Sequence, residues 1–346
     1  MCTQHVLDLA RDRQGFVATT KCGWKSMLIL NAKDVERALP MEDAIEAMRE
    51  AFSSLSNNQA LVPPRCHMNI TDHAGICLVM PAFVGCGEAS QALAVKTVSL
   101  FDGNQKRGLA RIQAAVTLFE ADTGRPVALL DGGTLTAIRT AAAPGLATDL
   151  LARKDARQLA VFGAGVQSRQ QIVAMCQVRP VDVVRLFTPT RAKADALLTD
   201  MKLQFPRISW EVADSPREAV QNADIICCAS TAKHPVFSDA DIKPGTHINA
   251  IGSFQPEVVE VPAETVCRAR TYVDSVEAAW EEAGDLIQPL RLGLIDQGHL
   301  VGELGALAQG EIAGRQDNSQ VTLFKSVGIA AQDAVAARVA VANARK

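Results

Sequence analysis

The sequence has no run rich in lysine and arginine, and its formal net charge is only −3 over 346 residues. Nucleic acids and anionic membrane surfaces bind clustered positive charge, so neither partner is expected. It also lacks the uninterrupted stretch of about eighteen apolar residues that a membrane-spanning helix requires. The opening segment, MCTQHVLDLARDRQG, mixes acids and bases without the apolar centre of a secretion signal. We therefore expect an unexported, cytoplasmic protein whose partners are small molecules.

Paired cysteines are missing as well, because none of the nine cysteines belongs to a C-x-x-C motif. A disulfide framework or a zinc site would show characteristic spacings that are not found here. Cys227 and Cys228 are instead adjacent inside an apolar run that is typical of a strand. The cysteines are predicted to be reduced core thiols, and no metal site is expected.

Hydrophobic patterns divide the chain into two predicted domains, and an apolar fraction of 48% supplies core for both. Residues 1–26 show no periodicity and form a predicted N-terminal extension. Residues 27–142 mix helices with strands of a largely antiparallel sheet, whereas residues 143–321 alternate strands and helices as a doubly wound parallel sheet does. The alanine- and valine-rich segment 326–345 comes too late for that alternation. Residues 322–346 are therefore predicted to return to the first domain, which makes the α/β chain a Rossmann domain inserted in a discontinuous α+β domain.

The segment QLAVFGAGVQS, residues 158–168, predicts a buried strand that turns into a dinucleotide-binding helix. Gly163 permits the tight turn, and Gly165 lets a cofactor approach the N–H groups that open the helix. The third glycine of the fingerprint is replaced by Ser168, so a plain strand–turn–helix unit is the alternative interpretation. A second strand-like run at 181–187 favours the dinucleotide interpretation.

The end of that second strand indicates which dinucleotide is preferred. NAD-preferring sites usually place Asp or Glu there, but this chain has Thr188, Pro189, Thr190 and Arg191. Two hydroxyls and a guanidinium can bind a 2′-phosphate, so NADP(H) is the predicted cofactor and NAD(H) remains possible. The alternative is that Arg191 is only a solvated charge at a helix start, although that position opposes the helix dipole.

Three cations of the first domain lie where the surrounding sequence offers no solvated face. Arg65 follows two prolines, Lys96 interrupts the apolar strand ALAVKTVSL, and Arg139 lies in the low-charge helix TLTAIRTAAAPG. Guanidinium groups bind carboxylates in a bidentate manner, and a desolvated lysine can protonate a reacting nitrogen. A single cation of this kind is more often a surface charge or a salt-bridge partner, because a charge in an apolar run commonly marks the solvated side of a strand.

From about Leu28 to its end the chain resembles the ornithine cyclodeaminase and mu-crystallin family. The motifs that carry the resemblance are, in order, VKTVSLFDGN, AIRTAA, FGAGVQS, HINAIGS, YVDSVEAAWEEAGD, GELG and LFKSVG. The resemblance implies a homodimer whose first domain binds substrate and dimerises, closed by the C-terminal helix, with the Rossmann domain inserted. It also implies that Arg65, Lys96 and Arg139 occupy the substrate-carboxylate and catalytic positions. The family's cofactor-contacting positions correspond to Val166, Gln167, Thr188, Ser230, Ile251 and Ser326.

Two departures from the ornithine-converting members indicate a different substrate. Those members carry an aspartate where this chain has Phe254 and a glutamate where it has Leu78, and both acids serve the substrate's distal amino end. Their loss removes polar partners worth on the order of 1–3 kcal/mol each. The pattern is similar to the imine-reducing members, which implies NAD(P)H-dependent reduction of Δ1-pyrroline-2-carboxylate or Δ1-piperideine-2-carboxylate to proline or pipecolate. Lys96 would assist protonation of the imine nitrogen, while Arg65 and Arg139 hold the carboxylate.

Three alternatives stay open from the sequence. The chain could be an alanine dehydrogenase, a cyclodeaminase that tolerates Phe254, or a dinucleotide-binding protein with little or no turnover, as mu-crystallin-like proteins can be. A lysine at the catalytic position favours an enzyme.

Overall fold

The protein is described here from a computed structural model that covers residues 10–11, 17–18, 27–85 and 90–346. Most of the predicted N-terminal extension, residues 1–26, lies outside the described residues. The described chain forms two compact units, one made of the residues up to Arg139 together with 330–346, and one made of residues 140–329. Within the described ranges no helix is both long and apolar enough to cross a bilayer, and the cytoplasmic location stays a prediction.

The elements are numbered in chain order. The strands are β1 (Ala10–Arg11), β2 (Val17–Ala18), β3 (Leu28–Leu30), β4 (Ala60–Leu61), β5 (Cys66–Ile70), β6 (Gly75–Val84), β7 (Ala92–Phe101), β8 (Ile112–Phe119), β9 (Pro126–Asp131), β10 (Gln158–Phe162), β11 (Val183–Phe187), β12 (Ser209–Val212), β13 (Ile225–Cys228), β14 (His247–Ala250), β15 (Arg270–Val273), β16 (Leu300–Glu303) and β17 (Thr322–Lys325). The helices are α1 (Ala32–Ala38), α2 (Met41–Ser56), α3 (Gly132–Leu151), α4 (Val166–Val178), α5 (Arg191–Gln204), α6 (Pro216–Val220), α7 (Ala263–Arg268), α8 (Val276–Glu282), α9 (Gly284–Arg291), α10 (Leu304–Ala308) and α11 (Ala330–Ala344).

The first unit is built on a sheet in the order β1-β2-β3-β9-β8-β7-β6-β4, with β5 paired to β6. Its pairings are antiparallel except for β3 with β9, so the predicted, largely antiparallel sheet is confirmed. Side chains alternate between the two faces of a strand, and helix α11 packs on β6, β7 and β8. The face of the sheet beneath α11 is therefore the core of this unit, and it carries the buried positions of β7.

Local sequence sets the boundaries of several elements in this unit. The side chain of Asn31 accepts hydrogen bonds from the backbone of Lys33 and Asp34, and Asp34 bonds back to Asn31, which starts α1 with a capping box. The predicted turn between β8 and β9 contains Gly124, whose φ of +69° suits glycine.

The second unit contains a parallel sheet in the order β12-β11-β10-β13-β14-β17-β15-β16. The first strand of this unit, β10, lies between its second and its fourth, as in a doubly wound nucleotide-binding fold. The predicted α/β fold class is therefore confirmed. The strand order reverses between β10 and β13, which is where such sheets bind ligands, beyond the carboxyl ends of the strands.

The expected domain boundary near residue 322 differs from the structure. Strand β17 lies between β14 and β15, so Thr322–Lys325 belongs to the parallel sheet, and the return to the first unit starts at Ala330. All four residues of β17 are buried, and a short strand that is buried on both faces shows no period that could distinguish it from a buried helix segment.

The expected location of the cysteines needs a similar correction. Cys227 and Cys228 are buried core thiols, as predicted, and burial raises the pKa of Cys227 to about 12. Cys66 and Cys267 are exposed, because β5 and the end of α7 lie at the surface of their units.

Candidate active site

Two of the three cations singled out in the sequence meet at one buried carboxylate of the first unit. The Nζ atom of Lys96 lies 2.6 Å from Oδ2 of Asp333, and Nε of Arg139 lies 2.8 Å from Oδ1 of the same group. Arg139 also donates from Nη1 to Oε1 of Gln332 at 3.0 Å. The side chains of Lys96 and Asp333 are each only 2% exposed and that of Arg139 is 6% exposed, so the contact is shielded from solvent.

Each member of this cluster is positioned by a different element. Strand alternation puts Lys96 on the buried face of β7, together with Ala94 and Val98. Arg139 lies in α3, which begins directly after β9 with Gly132. A Cβ at Gly132 would lie 2.6 Å from the carbonyl carbon of Ala114, so only glycine allows the helix to start this close to β8. Asp333 lies in the first turn of α11, where the helix dipole favours a carboxylate.

The third cation, Arg65, precedes the first residue of β5. That residue, Cys66, pairs with Val79 of β6, and the next residue of β6, Met80, pairs with Lys96. Arg65 therefore adjoins β5, which is separated from Lys96 on β7 by the intervening strand β6. Its positive charge contributes to lowering the pKa of Lys96.

The cluster shifts the pKa values of its members. Burial, and then the positive charge of Arg139, lowers the pKa of Lys96 from 10.5 to about 8, against the raising effect of Asp333, and Arg65 adds a smaller lowering effect. Burial would raise the pKa of Asp333, but Arg139 and Lys96 hold it below its usual value. At neutral pH Lys96 is therefore mostly protonated and is poised to release its proton, as an efficient general acid is.

The charges of this cluster do not balance. Lys96 and Arg139 carry two buried positive charges, and both contact the single negative charge of Asp333. A buried charge without a counter-charge is costly, so the cluster favours binding an anion. A substrate carboxylate is an anion with the bidentate geometry that guanidinium groups match.

Apolar side chains surround Lys96 on its face of the sheet. Met80 and Val116 are its direct partners on β6 and β8, and Leu78 pairs with Val98 one step along the same face. Leu78, Met80, Val98 and Val116 are all buried. The leucine that replaces a glutamate of the ornithine-converting members therefore contributes an apolar side chain to the same buried face as Lys96.

The turn between β10 and α4 has the features that a pyrophosphate requires. Gly163 has a φ of +108°, and a Cβ there would overlap the carbonyl oxygen of Ala229. Gly165 is the N-cap of α4 and provides no side-chain cap, so the first N–H groups of the helix receive no side-chain oxygen. Val166 is 66% exposed, and Oε1 of Gln167 has no hydrogen-bond partner among the described residues. The uncapped N–H groups at the start of α4 fit a dinucleotide's pyrophosphate.

The predicted cofactor positions after β13, β14 and β17 are Ser230, Ile251 and Ser326. They lie at the carboxyl ends of three neighbouring parallel strands, so the fold brings them to one edge of the sheet. Ser230 donates to Oε1 of Glu260 at 2.6 Å, and Ser326 donates to Oδ2 of Asp274 at 2.7 Å. Both hydroxyl protons thus bind carboxylates of the protein, and the Ser230 oxygen also accepts a hydrogen bond from the backbone N–H of Ala232 at 3.1 Å.

The structure places carboxylates near the end of β11 that the sequence does not predict there. Thr188 follows β11 directly, and Thr190 is the N-cap of α5 without a side-chain cap hydrogen bond. Arg191 lies 2.9 Å from Oδ1 of Asp214, which follows β12, and 3.5 Å from Oδ1 of Asp195. The expectation that no carboxylate lies near this strand end is therefore wrong, because the neighbouring strand and the next helix turn each supply one.

Sequence reasoning missed Asp333, Gln332 and Glu260. Asp333 is the only acid in the segment 326–345, and the criterion that singled out the cations, a charge without a solvated face, would have found it if applied to acids. Glu260 is fully buried and also accepts hydrogen bonds from the backbone of Ser230 and Gly252, so it joins the loops after β13 and β14. Nothing in its local sequence indicates that role.

Comparison with known proteins identifies the family. The model of the ornithine cyclodeaminase/mu-crystallin family matches residues 25–346. The chain belongs to this family. It is 36% identical over 313 residues to the Δ1-pyrroline-2-carboxylate reductase of Bacillus cereus, a match that covers 90% of this chain and 95% of that protein. The family predicted from the sequence is confirmed.

Solved structures show the same fold. The Δ1-pyrroline-2-carboxylate reductase of Thermococcus litoralis, in complex with NADH and L-proline, matches with a TM-score of 0.87 and 39% identity, over 92% of this chain and 98% of that one. An archaeal alanine dehydrogenase dimer with bound NAD matches with a TM-score of 0.84 and 28% identity, over 92% of this chain and 96% of that one.

Proposed function

We propose that the chain is an NAD(P)H-dependent oxidoreductase that reduces the C=N bond of a cyclic imino acid, Δ1-pyrroline-2-carboxylate or Δ1-piperideine-2-carboxylate, to proline or pipecolate. The observation that carries the proposal is the buried cluster of Lys96, Arg139 and Asp333, with its excess positive charge on an apolar sheet face. The similarity to a reductase of this chemistry over most of both chains supports the same conclusion.

The residues of the first unit take distinct roles in this reaction. Arg139 and Arg65 bind the carboxylate, which keeps its charge throughout. Lys96 donates a proton from Nζ to the ring nitrogen as the C=N π electrons move onto that atom. Asp333 stabilises the protonated form of Lys96 and so keeps the acid loaded. When bound, the reduced dinucleotide supplies the hydride that forms the new C–H bond at C2.

The second unit provides the dinucleotide site in this proposal. The open start of α4 and the turn at Gly163 and Gly165 bind the pyrophosphate, with Val166 and Gln167 at the mouth of the turn. The resemblance assigns Thr188, Ser230, Ile251 and Ser326 to the rest of the cofactor, with Thr190 and Arg191 at the end of β11.

The apolar surroundings of Lys96 favour a ring over a chain with a distal amine. Met80, Val116 and Leu78 offer no group that could bind an ammonium, and Phe254 stands where ornithine-converting relatives have an aspartate. Pyruvate, the substrate of the alanine dehydrogenase alternative, offers only one methyl group to these apolar side chains, whereas a ring offers several methylene groups. A cyclic imino acid is the substrate class that combines a carboxylate with an apolar ring.

A substrate panel tests the proposed activity. We expect oxidation of NADH or NADPH with Δ1-pyrroline-2-carboxylate and Δ1-piperideine-2-carboxylate, slower oxidation with pyruvate plus ammonia, and no ammonia release from ornithine with NAD⁺. Absorbance at the nicotinamide band measures the first three reactions, and an ammonia assay measures the fourth. Ammonia released readily from ornithine, or faster turnover of pyruvate than of both imines, would contradict the proposal, and dinucleotide binding without turnover would favour the binding-protein alternative.

The role of Lys96 predicts a specific kinetic defect. Lys96→Met should lower kcat by about a hundred- to ten-thousandfold while leaving the dissociation constant for the dinucleotide unchanged, because general acid catalysis contributes about that much. Arg65→Ala should mainly raise KM for the imino acid, since it removes a contact made equally in ground and transition states. Lys154→Met removes a lysine whose side chain is 79% exposed and serves as the control. A Lys96→Met enzyme within about threefold of the original kcat would remove this lysine from the mechanism.

We also infer that the chain is a homodimer that pairs through the outer face of the first unit's sheet. Phe83, Leu93 and Phe119 are neighbours in register across β6, β7 and β8, and Val95 lies in the next row; none of them faces the core. Such a continuous apolar sheet surface is typical of an interface. The archaeal alanine dehydrogenase, similar over most of its length, is a dimer.

Light scattering after size-exclusion chromatography tests the dimer. The unchanged protein should show twice the mass of the chain, and Val95→Lys should yield monomer, because a lysine cannot be desolvated in an apolar interface. Leu203→Lys, at a residue of α5 that is 83% exposed, is the control and should remain dimeric. A monomeric unchanged protein, or an unaffected Val95→Lys dimer, would rule out this interface.

A further inference from the structure

The start of α5 carries an arginine that is already paired with two carboxylates. Arg191 contacts Asp214 at 2.9 Å and Asp195 at 3.5 Å. Asp214 follows β12, the sheet neighbour of β11, and its backbone N–H donates to Oε2 of Glu218 at 2.7 Å. The parallel pairing of β11 and β12 is therefore what brings a carboxylate to the strand end where the sequence has only hydroxyls and a guanidinium.

Among Arg191 and the described side chains that contact or flank it, carboxylates outnumber cations by three to two. Arg191, even together with Lys193 on the same helix turn, is set against the carboxylates of Asp195, Asp214 and Glu218. These side chains are exposed, so each ion pair is weak and the guanidinium can exchange partners. The negative charges stay in place whichever partner Arg191 has, and a 2′-phosphate, which carries close to two negative charges at neutral pH, would have to bind among them.

We propose that Asp214 is the residue that sets cofactor specificity: it pairs with Arg191 and its negative charge disfavours a 2′-phosphate, so that NADH binds at least as tightly as NADPH. The inference rests on the proposed function, and it reverses the NADPH preference that the end of β11 alone predicts. Dinucleotide-binding sheets that select NAD place their acid after the second strand. Here the acid comes after the third strand, β12, and acts from the neighbouring position.

Binding measurements without substrate test this proposal separately from catalysis. Dissociation constants for NADH and NADPH, measured by titration calorimetry, should show NADH bound as tightly as NADPH or more tightly in the unchanged protein. Asp214→Asn should tighten NADPH binding by roughly three- to tenfold, the effect expected from removing one negative charge near a phosphate in a solvated site. The same change should leave NADH binding within about twofold, since NADH carries no 2′-phosphate.

Two further variants complete the test. Asp182→Asn is the matched control. Asp182 precedes the first residue of β11, at the end of the strand opposite to Thr188, and it pairs with Arg157 at 2.8 Å. Removing its charge should not change the ratio of the two dissociation constants. Adding Arg191→Ala to Asp214→Asn should reduce the gain in NADPH affinity, because it removes the guanidinium that the loss of Asp214 releases. The inference would be overturned by an unchanged ratio in Asp214→Asn, or by NADPH binding clearly tighter than NADH binding in the unchanged protein. A protein that binds neither dinucleotide would overturn the proposed function itself.

Discussion

The carboxylate of Asp333 lies between Lys96 and Arg139, and the arrangement of the first unit's site depends on this contact. Without it, two cations would be buried close together with no counter-charge, at a cost of several kcal/mol for each desolvated ion. With it, both side chains are held in defined positions on an apolar face, and the surplus charge is left for an anion. The same carboxylate keeps Lys96 protonated at neutral pH although burial lowers its pKa.

The contact joins parts of the chain that are far apart in sequence, since Arg139 and Asp333 are separated by 194 positions. The first unit's site is therefore complete only when α11 has packed on β6, β7 and α2. The second unit uses a related device: Lys325 and Asp285 form a fully buried ion pair at 2.8 Å, and Asp285 accepts a hydrogen bond from the backbone of Glu260. Buried carboxylates thus organise the site region of both units.

Much of this arrangement was predictable from the sequence, for identifiable physical reasons. Lys96 and Arg139 were recognisable because a charge in an apolar run needs a partner, and the turn at Gly163 because a buried strand precedes the two glycines and a helical pattern follows them. Which groups pair with each other was not predictable. Asp333 is distant in sequence, and the role of Asp214 depends on which strands are neighbours, which local patterns do not encode.

The central claim is that Lys96, held protonated by Asp333, is the acid of the reduction, and the pH dependence of kcat/KM tests it most directly. Because the acid acts in its protonated form and its pKa is lowered to about 8, kcat/KM for the imino acid should be level below that value and fall as pH rises through it. Asp333→Asn should move the fall to lower pH, since the carboxylate raises the pKa of Lys96, and Lys96→Met should abolish it. The account would be contradicted if kcat/KM of Lys96→Met still fell at the same pH, or if Asp333→Asn did not shift the pH at which kcat/KM falls.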